Sequence, residues 1–328
     1  MNTGQKPLVS FVTPMKERDY RVMGLIRSIR EQNYPQDRIE ILVIDGGSAP
    51  DVLEACREAG AKIYFNERGL AEGAGMGKDQ GIWKAKGEYI VIAESDIELI
   101  GNNWINNMID PLESNPLLFA SVPRLHIDRK DNAVNRYLSY VGVDPFAVFR
   151  ALDGQLALGL VKTEDMGSYY RVRLNREEPY CMGSNGFCFR KNLIEKVGDY
   201  AQDVEFMARI AKHGLLEFAI PKEAEILHKN VKGFKDFLRK RIRWTRKYSK
   251  VYVHEKKDFV WITKKSEFFL YILKNLFVFP NIPVAVRKAF HYRDICWLMH
   301  PFILFLSTFI NIFFALQSRN MMKDVFSK

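Results

Sequence analysis

The chain has no C-x-x-C pair. Its four cysteines, Cys56, Cys181, Cys188 and Cys296, stand singly along 328 residues, which argues against a zinc site and against a disulfide framework. The opening residues, MNTGQKPLVSF, contain no apolar h-region, so no secretory signal is expected. The first two-thirds of the chain is accordingly assigned to a reducing cytosol. No internal repeat or low-complexity tract is present. The first apolar run is followed not by G-x-G-x-x-G but by Pro14-Met15-Lys16-Glu17-Arg18, which holds no glycine. That lack disfavours a Rossmann dehydrogenase. It also weighs against a nucleotidyltransferase, which ordinarily needs a glycine-rich, basic loop at this place.

Acids are in deficit. There are 49 Lys and Arg against 39 Asp and Glu, a net charge of +10, which suggests nucleic acid, anionic lipid or phosphorylated substrates as partners. The excess concentrates between Val231 and Lys250, where nine Lys or Arg face one acid, Asp236. The hydrophobic content of 47% supports a substantial core. The length suits one large α/β domain, or a catalytic domain with an appendage.

Periodicity then predicts the fold class. Leu8–Thr13, Ile39–Ile44, Ala61–Phe65 and Glu88–Ala93 read as strands, nearly all apolar, and helices are expected over 18–32, 50–59 and 76–86. Alternation of this kind indicates a mostly parallel central sheet flanked by helices. Ligands of such sheets bind beyond the carboxyl ends of the strands. Those ends are Thr13-Pro14, Asp45-Gly46-Gly47, Asn66-Glu67 and Glu94-Ser95-Asp96. The stretch Gly69–Asp96 is the most informative: a glycine-rich loop, a helix, a buried strand, then two carboxylates one residue apart. It suggests a metal-bound nucleotide site. Residues 124–179 show weak periodicity and are expected to be variable, loop-rich structure around an acceptor. Regularity resumes at Tyr180–Arg190, with helices expected over 192–197 and from Asp203 to His213.

In order and spacing, VSFVTPMKER (9–18), EILVIDGGS (40–48), GKDQGIWKAKGEYIVIAESD (77–96), GSNGFCFRKNLIEKVGDY (183–200), DVEFMARIAKHG (203–214) and KRIRW (240–244) resemble family 2 glycosyltransferases. The resemblance covers roughly residues 7 to 250. It implies the GT-A nucleotide-diphospho-sugar transferase fold for 1–250 and an inverting, hexosyltransferase-type activity. It places Asp45, with Thr13, Pro14 and Glu17, at the nucleotide base and ribose; the acid often found after Asp45 is Gly46 here. Lys78 stands where a cation would meet the diphosphate, near helix N-terminal amides. Glu94-Ser95-Asp96 matches the family's D-x-D signature, with Asp96 as the direct ligand of Mn²⁺ or Mg²⁺ and His228 as a further one. Such cations take one or two carboxylates plus substrate phosphates and act as Lewis acids on the departing diphosphate. Asp203 matches the general base that inversion requires, although Asp is also a favoured helix N-cap. Gly183, Ser184 and Asn185 match the acceptor loop. Arg243 and Trp244 match the end of the Q-x-x-R-W motif of processive relatives, for grip on diphosphate and stacking on sugar. Its glutamine is replaced by Lys240, which counts against polymer-type processivity.

The tail changes character. Phe268–Phe279 is a strongly apolar run ended by Pro280, and Ile295–Leu316 runs 22 residues without a formal charge. A helix of that length rises about 33 Å, enough to cross a bilayer core; a buried or interfacial hairpin is the other reading. Residues 251–328 are therefore expected to be a membrane-associated helical region. The whole reads as a metal-dependent transferase at the cytoplasmic face of a membrane, with a nucleotide-diphospho-sugar donor, no nucleic acid partner, and a glycan or lipid-linked acceptor of envelope polysaccharide type. A non-enzymatic, membrane-tethered nucleotide-binding protein would explain the basic stretch and the tail, but not acids at three chemical positions.

Overall fold

Residues 5–16, 19–67, 74–200, 202–250 and 258–318 are described by the structure, a computed structural model. In chain order the elements are β1 (Val9–Met15), α1 (Arg21–Arg30), β2 (Ile39–Asp45), α2 (Pro50–Glu58), β3 (Lys62–Phe65), α3 (Ala74–Lys84), β4 (Tyr89–Ile92), β5 (Ile97–Ile100), α4 (Trp104–Ser114), β6 (Leu118–Ser121) and β7 (Arg124–Leu125). Next come α5 (Ala133–Val141), α6 (Leu152–Leu158), β8 (Thr163–Asp165), β9 (Tyr169–Arg173), β10 (Phe187–Arg190), α7 (Leu193–Val197), α8 (Asp203–Lys212), β11 (Glu217–Pro221) and β12 (Glu225–His228). The chain continues through α9 (Phe234–Lys250), α10 (Lys265–Phe277), α11 (Ile282–Tyr292) and α12 (His300–Gln317). The glycine-rich loop of the sequence falls largely on 68–73, outside the described residues, as does Glu17.

Two compact units emerge, residues 1–126 with 161–228, and residues 127–160 with 229–328. Residues 229–250 thus group with the C-terminal helices, a different division from the sequence boundary at 250.

The first unit is mixed α/β. Its main sheet has nine strands in the order β3-β2-β1-β4-β10-β6-β11-β9-β8, and a second sheet runs β5-β12-β7. β1 and β2 are buried along their whole lengths, as strands covered on both faces require. The β3-β2-β1-β4 half is parallel. β10 then inserts antiparallel to both β4 and β6, so the far half is mixed. Glu40, within β2, is buried yet satisfied: it accepts from Ser10 Oγ and Lys62 Nζ at 2.7 Å each and from the Lys86 amide at 2.8 Å.

The expectation of loops over 124–179 is corrected. α5, α6, the β8–β9 hairpin and a short 3-10 turn at Pro145–Phe149 occupy much of it. Helices of seven and nine residues are too short to show a repeated period, which is why the sequence conceals them.

In the second unit, Tyr137, Leu138, Trp297, Ile303 and Leu304 form a buried cluster with Val134 and Val148. Ile295–Gln317 is a 23-residue apolar helical stretch with mean hydropathy 1.8, of which the most apolar window is 44% buried in the protein.

Candidate active site

Helix α3 packs closely on β1 and β2 where two of its glycines, Gly77 and Gly81, face the strands. A Cβ on Gly81 would come within 2.3 Å of Val12 Cγ1 and 3.0 Å of Ile44 Cγ1, and one on Gly77 within 3.3 Å of Pro14 Cβ. Four residues apart, the two glycines share a helix face. Their contact fixes Lys78 at the carboxyl ends of the strands.

Lys78 is 2% exposed. Its Nζ lies 2.5 Å from Glu94 Oε1 and 2.8 Å from Asp203 Oδ1. Burial opposes the charge on Lys78, but the Asp203 and Glu94 carboxylates outweigh it and raise its pKa above the ordinary lysine value. Burial raises the Glu94 carboxyl, with the Lys78 ammonium pulling the other way. The ammonium, expected at the diphosphate, is engaged here by two carboxylates of the protein.

Asp203 does not cap α8. The N-cap is Gln202, with no side-chain capping bond, and Asp203 is the first helical residue. Both of its hydrogen bonds, from Lys78 Nζ and from Tyr200 Oη at 2.7 Å, fall on Oδ1. Tyr200, fully buried, also places its hydroxyl against the Gly183 carbonyl, and its amide donates to Asp79 Oδ1 at 2.9 Å. Burial and the Asp203 charge hold its phenol well above the usual tyrosine value, so it remains a neutral donor. Gly183 has φ +114°, and a Cβ there would lie 3.3 Å from the Asp203 carbonyl. The acceptor loop and the candidate base are therefore linked through one aromatic side chain. Asn185, also expected in that loop, has φ +50°, and its buried Oδ1 has no hydrogen-bond partner among the described residues; Ser184 supplies a carbonyl to Phe187 N at 3.2 Å.

Asp96 and His228, distant in sequence, come together through β5 and β12, whose antiparallel register sets His228 opposite Ile97. His228 Nε2 lies 3.4 Å from Asp96 Oδ1, and Arg21 Nη1 lies 3.2 Å from Asp96 Oδ2. Two cis ligands of one octahedral Mg²⁺ or Mn²⁺ sit about 3 Å apart. One carboxylate oxygen and one imidazole nitrogen at this separation, with phosphates to complete the shell, fit such a cation. Among the described residues no group of three or more His, Cys, Asp or Glu could hold a metal alone. Ser95 Oγ donates to Asp19 Oδ2 at 2.7 Å, and Asp19 also accepts from Arg21. Burial pushes the Asp19 carboxyl up, but hydrogen bonds from Arg21 and Ser95 hold it below its ordinary value.

Asp45 caps a turn: its Oδ1 accepts from the Gly47 amide at 3.1 Å and the Ser48 amide at 2.7 Å. Oδ2 has no partner among the described residues. Thr13 and Pro14 are buried at the end of β1, and the Thr13 hydroxyl is unpartnered there, so they shape the strand end from within. Arg243 and Trp244 belong to the second unit, on α9, with Trp244 half exposed. In the same helix Lys240 donates to the Asn230 carbonyl and Arg241 pairs with Asp144 at 2.6 Å.

Three residues of these clusters escape sequence reasoning: Tyr200, Arg21 and Asp19. A tyrosine three residues before an acid-headed helix is too ordinary to attract notice. Arg21 and Asp19 carried a weak signal, since they directly follow the Glu17-Arg18 segment expected to frame the base.

A model of the family described as glycosyl transferase family 2 matches residues 10–197. An uncharacterized glycosyltransferase of Rickettsia bellii is 26% identical over 142 residues, 42% of this chain and 19% of that one. A glucosyl-3-phosphoglycerate synthase of Petrotoga mobilis is 34% identical over 82 residues, 24% of this chain and 25% of that one. The chain thus spans a quarter or less of the length of these two relatives. Among solved structures, the mannosyltransferase PcManGT of Pyrobaculum calidifontis, in complex with GDP-Man and Mn²⁺, is similar with a TM-score of 0.55 at 15% identity, covering 94% of this chain and 87% of that one.

Proposed function

We propose that this chain, which belongs to glycosyl transferase family 2 and has the GT-A fold, transfers a sugar with inversion from a nucleotide-diphospho-sugar to a hydroxyl acceptor. The observation that carries the reading is the joining of Asp203, Lys78 and Glu94 beside Tyr200 and Gly183, two residues along the chain from the Asp96–His228 pair. Asp203 Oδ1 is held by Lys78 and Tyr200, which leaves Oδ2 for the acceptor. In the transfer, the acceptor oxygen bonds to the anomeric carbon as the bond to the diphosphate breaks, and Asp203 Oδ2 takes the acceptor proton. Asp45 Oδ2 accepts from the nucleotide base or ribose. Arg21, paired with Asp19 and Asp96 yet 41% exposed, is a cation suited to phosphate oxygens.

Asp96 and His228 would hold Mn²⁺ or Mg²⁺, which when bound supplies Lewis-acid stabilisation of the leaving diphosphate. The Pyrobaculum protein was captured with Mn²⁺, so Mn²⁺ is the first cation to test here. The acceptor is a glycan or lipid-linked hydroxyl at the cytoplasmic face of a membrane. That reading rests on the basic helix α9 and the apolar helices after it.

The test is a donor screen across UDP, GDP and TDP sugars with Mn²⁺, followed by two variants. Asp96→Ala is expected to abolish metal-dependent turnover without unfolding the protein. Asp203→Asn is expected to abolish transfer while calorimetry still registers donor binding. Transfer at the native rate by folded Asp203→Asn protein rejects the base assignment.

A further inference from the structure

An apolar stretch long enough to cross a bilayer can equally lie along one face of it. We propose that the second unit is monotopic: α10, α11 and α12 enter a single leaflet of an anionic bilayer, and Ile295–Gln317 does not cross it. This rests on the membrane reading above and decides the form that the attachment takes.

Both ends of the apolar stretch are tied to charged residues elsewhere in the same unit. At its start, Asp294 is 3% exposed and pairs with Arg129 at 3.0 Å and Arg136 at 3.1 Å. Trp297 is fully buried, stacked on Tyr292 at 5.6 Å and edge-on to Tyr137 at 5.8 Å. His300 Nδ1 lies 2.7 Å from Tyr137 Oη on α5. At its end, the Arg246 guanidinium covers the Phe314 ring at 5.7 Å, and Ser318 Oγ donates to the Ser249 carbonyl. Arg246 and Ser249 sit on α9, a helix with eight Lys or Arg and one acid. To cross the membrane, α12 would have to part from α9 or α5, or draw their charges into hydrocarbon, which is strongly unfavourable.

The preceding helices are built for the same purpose. α10 and the segment Phe279–Tyr292 meet at a 95° bend, where Val278 takes φ +62°. Buried polar groups lock the bend: Asn275 Nδ2 donates to Thr308 Oγ1 on α12 at 3.1 Å, and Asn281 Nδ2 to Asn275 Oδ1 at 3.2 Å. A helix pair bent this sharply cannot traverse the bilayer as one rod. Across the bent pair and the start of Ile295–Gln317, Leu270, Phe277, Phe279, Phe290, Ile295 and Phe302 are largely exposed, the kind of apolar surface that marks an interaction site. Apolar faces flanked by a strongly cationic helix match the acyl boundary and headgroups of anionic lipid.

The experiment uses the full chain with Cys181→Ser, since the other three cysteines are buried, and adds His291→Cys or Gln317→Cys at the two ends of the stretch. Each is synthesised cell-free with vesicles of phosphatidylcholine and phosphatidylglycerol, recovered by flotation, and treated with a membrane-impermeant maleimide before and after detergent. We expect flotation that weakens at least tenfold with phosphatidylcholine alone, and equal labelling of both sites without detergent. Protection of either site until detergent is added overturns the monotopic arrangement while the membrane reading stands. Failure to float overturns both.

Discussion

Lys78 and Asp203, 125 residues apart, form a 2.8 Å hydrogen-bonded ion pair at the carboxyl edge of the main sheet. The same ammonium holds Glu94 at 2.5 Å, so a single buried cation orders two of the acids proposed to act on the donor and acceptor. These contacts are those of a group that positions carboxylates, a role separable by mutation from direct binding of phosphate.

Lys78→Met separates these roles. Removing one partner of a buried pair leaves two carboxylates without their cation, and the expected loss of stability is about 3 kcal/mol, read by urea unfolding. In the protein that remains folded, kcat should fall by an order of magnitude or more while the donor KM stays within about threefold. A rise in donor KM at unchanged kcat would return Lys78 to the diphosphate.

Tyr200→Phe removes one hydroxyl and keeps the ring, which packs 4.7 Å from Phe206. A hydrogen bond to a charged group is worth about 1.5–3 kcal/mol, so kcat should drop roughly 10- to 100-fold with donor affinity preserved. An unchanged kcat by this variant would mean that Asp203 needs no support from the acceptor loop.

Gly81→Ala should destabilise the protein even though alanine favours helices. The added Cβ meets Val12 and Ile44 in strands that cannot retreat, and overpacking of this kind costs about 1–3 kcal/mol. That exceeds the gain of about 1 kcal/mol in helix propensity. Thermal unfolding checks the sign.

Glu40 governs part of the acid sensitivity. Burial pushes its carboxyl up, but bonds from Lys62, the Lys86 amide and Ser10 outweigh this and place it below the ordinary 4.5. A depressed carboxyl contributes stability that is complete above its unfolded value and is lost as pH falls through its folded value. The difference in unfolding free energy between native protein and Glu40→Gln should therefore be largest near neutrality and shrink below about pH 4.5. A difference that stays constant with pH would show that the Glu40 charge contributes nothing.

The parallel β1–β4 half, the helices between its strands, and acids at Asp45, Glu94, Asp96 and Asp203 were all legible in the chain. Each leaves a local trace: a run of apolar residues, a helical spacing, or an acid at the end of a strand or the head of a helix. Burial on two faces of a strand or one face of a helix imposes these traces within ten or so residues. The position of α5 and α6 was not legible, since they complete too few turns to repeat a pattern.

What those acids touch depended on the tertiary structure. Lys78 is expected at the diphosphate, and its two carboxylate partners become visible only once the Gly77–Gly81 face brings α3 onto the sheet and buries it. The resemblance offers His228 as a metal ligand, but its placement beside Asp96 comes only from the β5–β12 register. Tyr200 has no marker at all, yet its hydroxyl joins Gly183 to Asp203. The pairings that assemble the site, β4 with β10 and β5 with β12, join stretches far apart in the chain, such as Ile92 with Phe187 and Ile97 with His228. The order of residues carries the local pattern, and only closure of the sheet brings Lys78, Glu94, Tyr200 and Asp203 into one cluster.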